Sequence, residues 1–250
     1  MSKYDAYKKD VFKLHAEGKS NKDIALELGI DNRRVSDLIK KLGLAKNERM
    51  FNDKPSESQH EVFISMVIGD GCIFKSERNT NYRMNLAHQV SQKDYFVEKY
   101  NQIKEFVGVD YKYVEQYDKR TKKTYAYYKI QTKVNPYFTR LYNEWYRDGK
   151  KIITESIFGE LTDKVLAYKF FDDGWLSGSG YSIAMNDYDE GSVETFRKAL
   201  FVNFGIETSL HQKGSVIYIP AKFKLKFRSI VIKHATEDVL YKLGELTGKS

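Results

Sequence analysis

The chain has 250 residues, 41% of them hydrophobic, with only three Pro, 16 Gly and one Cys. This composition excludes collagen-like and low-complexity chains, and the single Cys72 excludes an internal disulfide and a multi-cysteine zinc or iron–sulfur site. No apolar run approaches the ~18 residues of a membrane span, and the N-terminus lacks an apolar signal segment, so we expect a cytoplasmic protein of a bacterium or a phage-infected host cell. The formal net charge of +8 is carried by the first 150 residues and favours a polyanionic partner.

An all-helical domain is predicted over residues 1–44. Apolar residues at helical spacing predict a helix over residues 5–17, a second helix between Ser20 and Gly29, and a third helix from Asn32 to Lys41. Phe12 is assigned to the buried side of the first helix. The last two helices and the glycine turn between them form a helix–turn–helix layout.

The third helix carries the DNA-binding prediction for this domain. In helix–turn–helix proteins the N-terminal part of the second helix of the pair enters the major groove. The residues expected to bind DNA here are Asn32, Arg33, Arg34, Ser36 and Lys40. The alternative is a three-helix bundle whose charged residues only face solvent. A polar linker is predicted over residues 45–56, where the apolar periodicity stops.

The rest of the chain contains an imperfect internal repeat. One apolar helix ends in Asp70-Gly71 and a second ends in Asp173-Gly174, 103 residues later. After each Asp-Gly pair the pattern predicts two short strands, an amphipathic helix, a β-hairpin and a closing helix. Residues 57–150 and 151–250 are therefore predicted to form two αββαββα repeats of an α+β fold. A capping box of Ser58 and Glu61 is expected to begin the first apolar helix.

Both repeats carry the same nine-residue motif, as Phe63–Gly71 and as Leu166–Gly174. The flanking segments that strengthen the match are His88–Tyr95, Ile217–Pro220 and Tyr241–Leu243. On these residues the chain resembles the single-chain, intron-encoded LAGLIDADG homing endonucleases over residues 57–245, with an added N-terminal helix–turn–helix domain. The second copy departs from the motif at Tyr168 and Lys169, and we expect the Lys169 ammonium to escape to solvent.

The resemblance implies a metal-dependent nuclease centre at the ends of the motif helices. It pairs the helices along a pseudo-twofold axis, which brings Asp70 and Asp173 together beneath DNA. Two close carboxylates repel each other, and a divalent cation offsets that repulsion. Oxygen ligands favour Mg²⁺, with Mn²⁺ as a substitute, and the carbonyls of Gly69 and Asp172 are the further expected ligands.

The resemblance also places a basic residue near each active centre and a saddle of two β-sheets on the DNA. Lys151, with its neighbour Lys150 as the alternative, and Lys242 match the basic positions and are the expected catalytic lysines. Asn186 is a candidate for positioning the attacking water. The DNA-binding residues expected on the sheets and their turns are Arg83, Asn85, Lys119, Arg120, Lys122, Lys123, Gln131, Asn186, His211 and Lys213.

The expected function is therefore site-specific, double-strand cleavage of a long asymmetric DNA target by a monomer. A transcription regulator built on the same scaffold is one alternative, although Asp70 and Asp173 are both present. An RNA maturase that binds its own intron RNA and aids splicing is the other. The helix–turn–helix is expected either to extend the target contact or to repress the gene's own promoter.

Overall fold

Three helices at the N-terminus enclose a small hydrophobic core of their own. The computed structural model describes residues 5–17, 19–44, 54–77 and 79–244. The helices are α1 (Lys8–Ala16), α2 (Asn21–Leu28) and α3 (Asn32–Lys41). Their shared core consists of Val11, Leu14, Ile24, Ala25, Val35, Leu38 and Ile39.

The turns between these helices follow from their capping residues. The side chain of Ser20 accepts a hydrogen bond from the backbone N–H of Asp23 and begins α2. Gly29 ends α2 in the left-handed region at φ 62°, and Asp31 begins α3 as its N-cap. The assignment of Phe12 to the core was wrong: its side chain is 54% exposed, because α1 turns only its Val11–Leu14 side inward.

Two αββαββα repeats follow, as the sequence predicts. The first consists of α4 (Glu57–Ile68), β1 (Cys72–Phe74), β2 (Arg83–Gln89), α5 (Lys93–Ile103), β3 (Lys112–Asp118), β4 (Lys123–Gln131) and α6 (Pro136–Trp145). The connection contains β5 (Tyr146–Arg147), β6 (Lys150–Lys151) and α7 (Ile157–Glu160). The second consists of α8 (Asp163–Asp173), β7 (Gly174–Ser177), β8 (Gly180–Ala184), α9 (Glu190–Phe204), β9 (Ser209–His211), β10 (Val216–Ile219) and α10 (Lys224–Val231).

The start of α4 differs from the sequence prediction by two residues. Ser56, rather than Ser58, is the N-cap, and it forms a capping box with Gln59, rather than Glu61. The Ser56 hydroxyl accepts from the Gln59 backbone N–H, while the Gln59 side chain accepts from the Ser56 backbone N–H at 2.9 Å. Gln serves this purpose as well as Glu, because the motif needs only a side-chain acceptor three residues after the cap.

The two four-stranded sheets have the same topology. Their strand orders are β1-β2-β4-β3 and β7-β8-β10-β9, and all neighbouring strands are antiparallel. In β2 the alternate residues Met84, Leu86 and His88 are buried against the helices. The residues between them point to the opposite face and are half-buried or exposed. No helix in the described parts of the chain is long and apolar enough to cross a membrane.

The motif helices α4 and α8 pack against each other at the centre of the molecule. Residues 62–68 of α4 and 165–171 of α8 are buried without interruption, as expected for helices surrounded by protein on all sides. Gly69, just beyond α4, lies directly against the Asp172 side chain of α8. A Cβ atom built there would lie 2.1 Å from Oδ2 of Asp172, so the position requires a residue without a side chain.

Candidate metal-dependent active site

Each motif helix presents an aspartate at its C-terminal end. Asp70 lies just beyond α4 and its side chain is 39% exposed, whereas Asp173 is the last residue of α8 and its side chain is 28% exposed. Asp70 lines two clefts, of about 270 and about 450 Å³. Asp173 lines the smaller one, named here the Asp173 cleft. The larger is named the Asp70 cleft.

The Asp173 cleft is lined by residues of both repeats, among them Gly69, Asp70, Lys151, Lys169, Asp173 and Asn186. The Nζ of Lys151 donates to the carbonyl oxygen of Gly69 at 2.5 Å. Burial, together with the charge of Lys169, lowers the pKa of Lys151. Burial also raises the pKa of Asp173, although the Lys169 ammonium opposes this shift.

Lys169 does not reach solvent, so that sequence prediction was wrong. Its side chain is 1% exposed, and its Nζ pairs with Oδ2 of Asp173 at 2.7 Å. Lys169 precedes Asp173 by one helical turn, which places the ammonium beside the carboxylate and provides the partner that a buried charge needs.

The Asp70 cleft is lined by Asp70, His88, Gln89, Gln92, Asp172 and Lys242, among others. The Nζ of Lys242 donates to the carbonyl oxygens of Phe171 at 2.5 Å and Asp172 at 3.0 Å. Burial lowers the pKa of Lys242. The two clefts are therefore built alike: each combines an aspartate of one repeat, a carbonyl of the other repeat and a largely buried lysine.

These donors suit a hard divalent cation. Asp70 with the carbonyl of Asp172, and Asp173 with the carbonyl of Gly69, offer only oxygen ligands, the type that Mg²⁺ and Mn²⁺ bind. Each carbonyl oxygen has a second lone pair beside the one that its lysine uses. Within the described residues, one group of His, Cys, Asp and Glu side chains has metal-ligand spacing: Asp70, His88 and Asp172, with ligand atoms within 4.8 Å of one another.

The carboxylate of Asp172 is already occupied by protein donors. Its Oδ1 accepts from Lys99 Nζ at 2.7 Å and from the Tyr95 hydroxyl at 2.8 Å, and its Oδ2 accepts from the backbone N–H of Asp70 at 3.0 Å. Burial disfavours its ionisation, but the charge of Lys99, together with the hydrogen bonds from Lys99 and the Asp70 backbone, outweighs burial and lowers its pKa to about 2. The carboxylate of Asp172 therefore serves the protein interior, and the second lone pair of its carbonyl oxygen, beside the one that Lys242 uses, is the ligand expected for a cation.

Sequence reasoning did not assign a role to Lys99 or the His88 ring at this site. Both carry a detectable signal, because each is a polar residue at a position that the periodicity assigns to the core. His88 follows Met84 and Leu86 on the buried side of β2, and Lys99 belongs to the buried stripe of α5. A buried cation at an apolar position predicts a buried partner, although the sequence does not show which one.

The outer face of the first sheet carries four of the residues predicted to bind DNA, Arg83, Asn85, Lys123 and Gln131. Strand register places Arg83, Asn85, Gln89, Lys112, Gln116, Lys123, Tyr127, Lys129 and Gln131 on this side, named here the first open face. Arg83 donates to Gln131 at 3.0 Å, and Gln131 donates to Asn85 at 3.2 Å, so the three side chains form a row across the strands. Lys119, Arg120 and Lys122 are exposed in the hairpin turn. Lys123 belongs to β4 rather than to the turn.

The corresponding face of the second sheet is smaller and less charged. His211 is exposed and stacks on Tyr218 with ring centroids 4.6 Å apart. Lys213 is exposed in the β9–β10 turn at φ 57°. Asn186 lies beyond β8 in the Asp173 cleft, where it is exposed.

The predicted DNA-binding residues of α3 are mostly available at its surface. Asn32, Arg33, Arg34 and Lys40 are exposed. Ser36 is the exception, because its hydroxyl accepts from the Asn21 side chain and donates to the Asn32 carbonyl, both at 3.1 Å. Ser36 therefore fixes α2 against α3.

A comparison with known sequence families identifies the source of this architecture. A sequence profile of the LAGLIDADG DNA endonuclease family matches residues 60–227. The chain belongs to the LAGLIDADG DNA endonuclease family. The match begins within α4 and ends within α10, so it covers both motif helices, the whole Asp173 cleft, and the Asp70 cleft apart from Tyr241 and Lys242.

Individual LAGLIDADG proteins are distant in sequence and similar in fold. The DNA endonuclease I-ChuI of Chlamydomonas applanata is 23% identical over 209 residues, covering 76% of this chain and 96% of that protein. The cytochrome b mRNA maturase bI2 of Debaryomyces hansenii is 22% identical over 168 residues, covering 66% of this chain and 64% of the maturase. The structure of the homing endonuclease I-WcaI bound to its DNA recognition sequence matches with a TM-score of 0.70 at 23% identity, covering 76% of this chain and 88% of that one.

Proposed function

We propose that this LAGLIDADG protein is a monomeric, site-specific DNA endonuclease that hydrolyses one phosphodiester bond in each strand of a long asymmetric target. The observation that carries the proposal is the matched pair of clefts at the ends of α4 and α8, each with an aspartate, a carbonyl oxygen and a largely buried lysine. Both repeats lie in one chain, so a monomer contains two centres, one for each strand. A cytoplasmic location belongs to the same proposal.

The residues of each cleft have separate roles. Asp70 with the Asp172 carbonyl, and Asp173 with the Gly69 carbonyl, would each hold a divalent cation, Mg²⁺ by preference and Mn²⁺ as a substitute. Such a cation supplies charge neutralisation at the phosphate and a lower pKa for water. Lys151 and Lys242 stabilise the negative charge that develops on the phosphate, and Asn186 orients the attacking water.

DNA recognition is divided unequally between the sheets. The row of Arg83, Asn85 and Gln131 on the first open face offers donors and acceptors for base edges in the major groove. The exposed lysines and arginine of the β3–β4 turn, with Lys213 and His211 in the second repeat, would contact phosphates. I-WcaI, of similar fold, is bound to its DNA recognition sequence, which supports a DNA-binding role for this fold.

Strand-resolved cleavage tests the proposal. Wild type is incubated with Mg²⁺, Mn²⁺ or EDTA and a DNA library that includes the uninterrupted form of the gene's own insertion locus. We expect a discrete double-strand cut with either metal and none in EDTA. Asp70→Asn and Asp173→Asn should each nick a different strand. Asp163→Asn, at the opposite end of α8, is the matched control and should cut like wild type.

The negative outcomes lead to different functions. Tight DNA binding without a cut in either metal contradicts the nuclease and favours the regulator. Intron RNA binding with assisted splicing, and no DNA cut, favours the maturase, an activity that the Debaryomyces hansenii relative carries in its name.

We also propose that α3 binds duplex DNA beside the cleavage target. Its exposed Arg33 and Lys40 are suited to groove and phosphate contacts. Arg33→Ala/Lys40→Ala should shorten the protected footprint at one end and leave cleavage of a minimal target unchanged. Lys9→Ala/Lys13→Ala removes the same charge from α1 and should keep the full footprint. Protection that appears only upstream of the gene would instead identify autoregulation as the role of this domain.

A further inference from the structure

The two aspartates receive different support from the side chains behind them. Asp173 is paired directly with Lys169 at 2.7 Å. Among the described residues, Asp70 has no lysine or arginine within salt-bridge distance of its carboxylate, and the nearest basic group is the His88 ring, whose Nδ1 lies 3.4 Å from Oδ2 of Asp70. Lys99 lies behind that ring.

Lys99 determines which nitrogen of His88 carries the hydrogen. Its side chain is fully buried, and its Nζ lies 3.4 Å from Nε2 of His88. An ammonium can only donate, so Nε2 is the acceptor and the ring hydrogen of the neutral imidazole is on Nδ1. Nδ1 is buried and makes no hydrogen bond among the described residues, and Oδ2 of Asp70 lies 3.4 Å from it. The edge of the ring that carries the N–H therefore lies beside the Asp70 carboxylate.

A second route connects Lys99 to the backbone of Asp70. Lys99 donates to Oδ1 of Asp172 at 2.7 Å, and Oδ2 of the same carboxylate accepts from the Asp70 N–H at 3.0 Å. The Tyr95 hydroxyl also donates to Oδ1 and keeps the carboxylate in this orientation. Lys99 thus acts on both the side chain and the main chain of Asp70.

The second repeat has no equivalent of Lys99 on its corresponding helix. The buried stripe of α5 contains Tyr95, Phe96, Lys99 and Ile103, and the stripe of α9 contains Ser192, Val193, Phe196 and Leu200 at the same spacing. The position of Lys99 is therefore occupied by Phe196, an apolar residue. Of the two motif aspartates, only Asp70 is connected to a buried lysine through intervening side chains.

We propose that Lys99 is a positioning residue for Asp70 and for the cleavage of one strand only. It anchors the Asp172 carboxylate that accepts the Asp70 N–H, and it fixes the His88 tautomer whose N–H lies nearest the Asp70 carboxylate. The strand assignment rests on the proposed nuclease function, whereas the tautomer does not. If His88 instead bound a metal through Nδ1, its ring hydrogen would have to be on Nε2. That hydrogen would then face the Lys99 ammonium.

Nitrogen NMR of the metal-free protein tests the tautomer directly. Full-length protein labelled with ¹⁵N-histidine is measured at a pH where the imidazole is neutral, and the His88 signals are assigned by their loss in His88→Gln. We expect the hydrogen on Nδ1 in wild type, and a shift toward Nε2 in Lys99→Met. A hydrogen on Nε2 in wild type overturns the proposal and favours His88 as a nitrogen ligand.

Strand-resolved, single-turnover cleavage tests the functional consequence. Lys99→Met should slow the strand that Asp70→Asn loses by roughly 10- to 100-fold, the usual effect of removing a group that orients a ligand, and leave the other strand within about threefold. Lys169→Met should slow the opposite strand. Equal slowing of both strands by Lys99→Met overturns the proposal.

Two measurements separate positioning from misfolding. Lys99→Met/Asp172→Asn removes both buried charges together and is expected to show the same strand preference as Lys99→Met, with wild-type affinity for DNA in EDTA. If the double variant binds DNA more weakly in EDTA and also cuts both strands more slowly, Lys99 has a structural role. If wild type cuts neither strand, the nuclease function fails, and the NMR result still decides the tautomer.

Discussion

The two repeats share one topology and present different surfaces to a substrate. Strands β3 and β4 have seven and nine residues, whereas β9 and β10 have three and four, so the first hairpin projects a longer and more basic surface. The excess positive charge of the chain lies before residue 151, and residues 151–250 are electrically balanced. Backbone symmetry is therefore retained where the motif helices must pack, and it is lost where an asymmetric DNA sequence would be read.

The interior shows the same contrast. Lys151 and Lys242 bond to carbonyl groups at equivalent motif positions, Gly69 and Asp172. Behind the aspartates the equivalence ends, because Lys169 contacts Asp173 directly while Lys99 reaches Asp70 through two other side chains. Elements common to both repeats are those expected to contact the reacting phosphate. Elements that differ are those that hold the contacting residues in place.

The largest expected effect comes from the paired lysines. Lys242→Met should slow the strand assigned to Asp70, and Lys151→Met the strand assigned to Asp173, each by roughly 10²- to 10³-fold, the effect of removing one preorganised donor to developing charge. Single-turnover assays with each strand labelled measure both rates. Lys150→Met is the matched control, because Lys150 is exposed beside Lys151. A loss at Lys150 instead would move the catalytic role to that residue.

The hairpins give the next largest difference. Replacing Lys119, Arg120, Lys122 and Lys123 by Ala should reduce the slope of log affinity against log salt by roughly 3 to 4, at about 0.9 per phosphate contact. Lys213→Ala should reduce it by about 1 or less. DNA binding in EDTA over a series of salt concentrations measures both slopes. Equal reductions of the slope in the two variants would show that the two hairpins contribute equally to phosphate binding. That result would contradict the asymmetric surface.

The sequence predicts the fold well because both repeats carry strong local signals. Apolar helices ended by Asp-Gly, alternating strands and glycine-ended helices are local patterns, and the observed αββαββα order agrees with them. The first residue of α4 is predicted less well, because the sequence offers two capping boxes. One is Ser56 with Gln59, which the structure uses, and the other is Ser58 with Glu61, two residues later.

The site is only partly predictable for a different reason. Asp70 and Asp173 stand out because a repeat places them in register, and the lysines follow from the family motif. The role of Lys99 depends on Asp172, 73 residues away along the chain, and on His88 of strand β2, against which α5 packs. A periodic pattern shows that Lys99 is buried, but the partner is defined by tertiary packing. Lys169 differs, because its partner Asp173 lies one turn later on the same helix, a spacing that the sequence does show.

Motif position seven offers a smaller test of the same asymmetry. It is Gly69 in the first repeat and Asp172 in the second, and the missing side chain of Gly69 makes room for the Asp172 carboxylate. Gly69→Ala should lower the free energy of unfolding by about 1–3 kcal/mol through overpacking. Urea unfolding measures it. Gly159→Ala is the control, since a Cβ there meets no atom within 4 Å, and it should be neutral. Equal stability of both variants would show that α4 and α8 can shift apart without cost.

The smallest expected effect lies at the other end of the motif helices. In α4, His60 Nε2 lies 2.8 Å from Glu160, and its Nδ1 lies 2.6 Å from the Tyr137 hydroxyl. In α8, the matching position is Asp163, paired with Lys233 at 2.9 Å. The hydrogen bond to Glu160 raises the pKa of His60, although burial opposes it, and the charges of Glu160, Glu144 and Glu61 act in the same direction as the hydrogen bond.

This shift predicts a stability difference that depends on pH in the first repeat only. Because the folded pKa of His60 exceeds the unfolded value of about 6.5, its contribution is complete below that pH and is lost as the pH rises through the folded pKa. His60→Gln should therefore destabilise the protein more at pH 6 than at pH 8, by less than about 1 kcal/mol for a partly exposed pair. Lys233→Gln should show no such trend, because a lysine remains charged across this range. Urea unfolding at both pH values measures the free energy of unfolding of each variant. The same pH dependence in both variants would show that the His60 pair does not distinguish the two repeats.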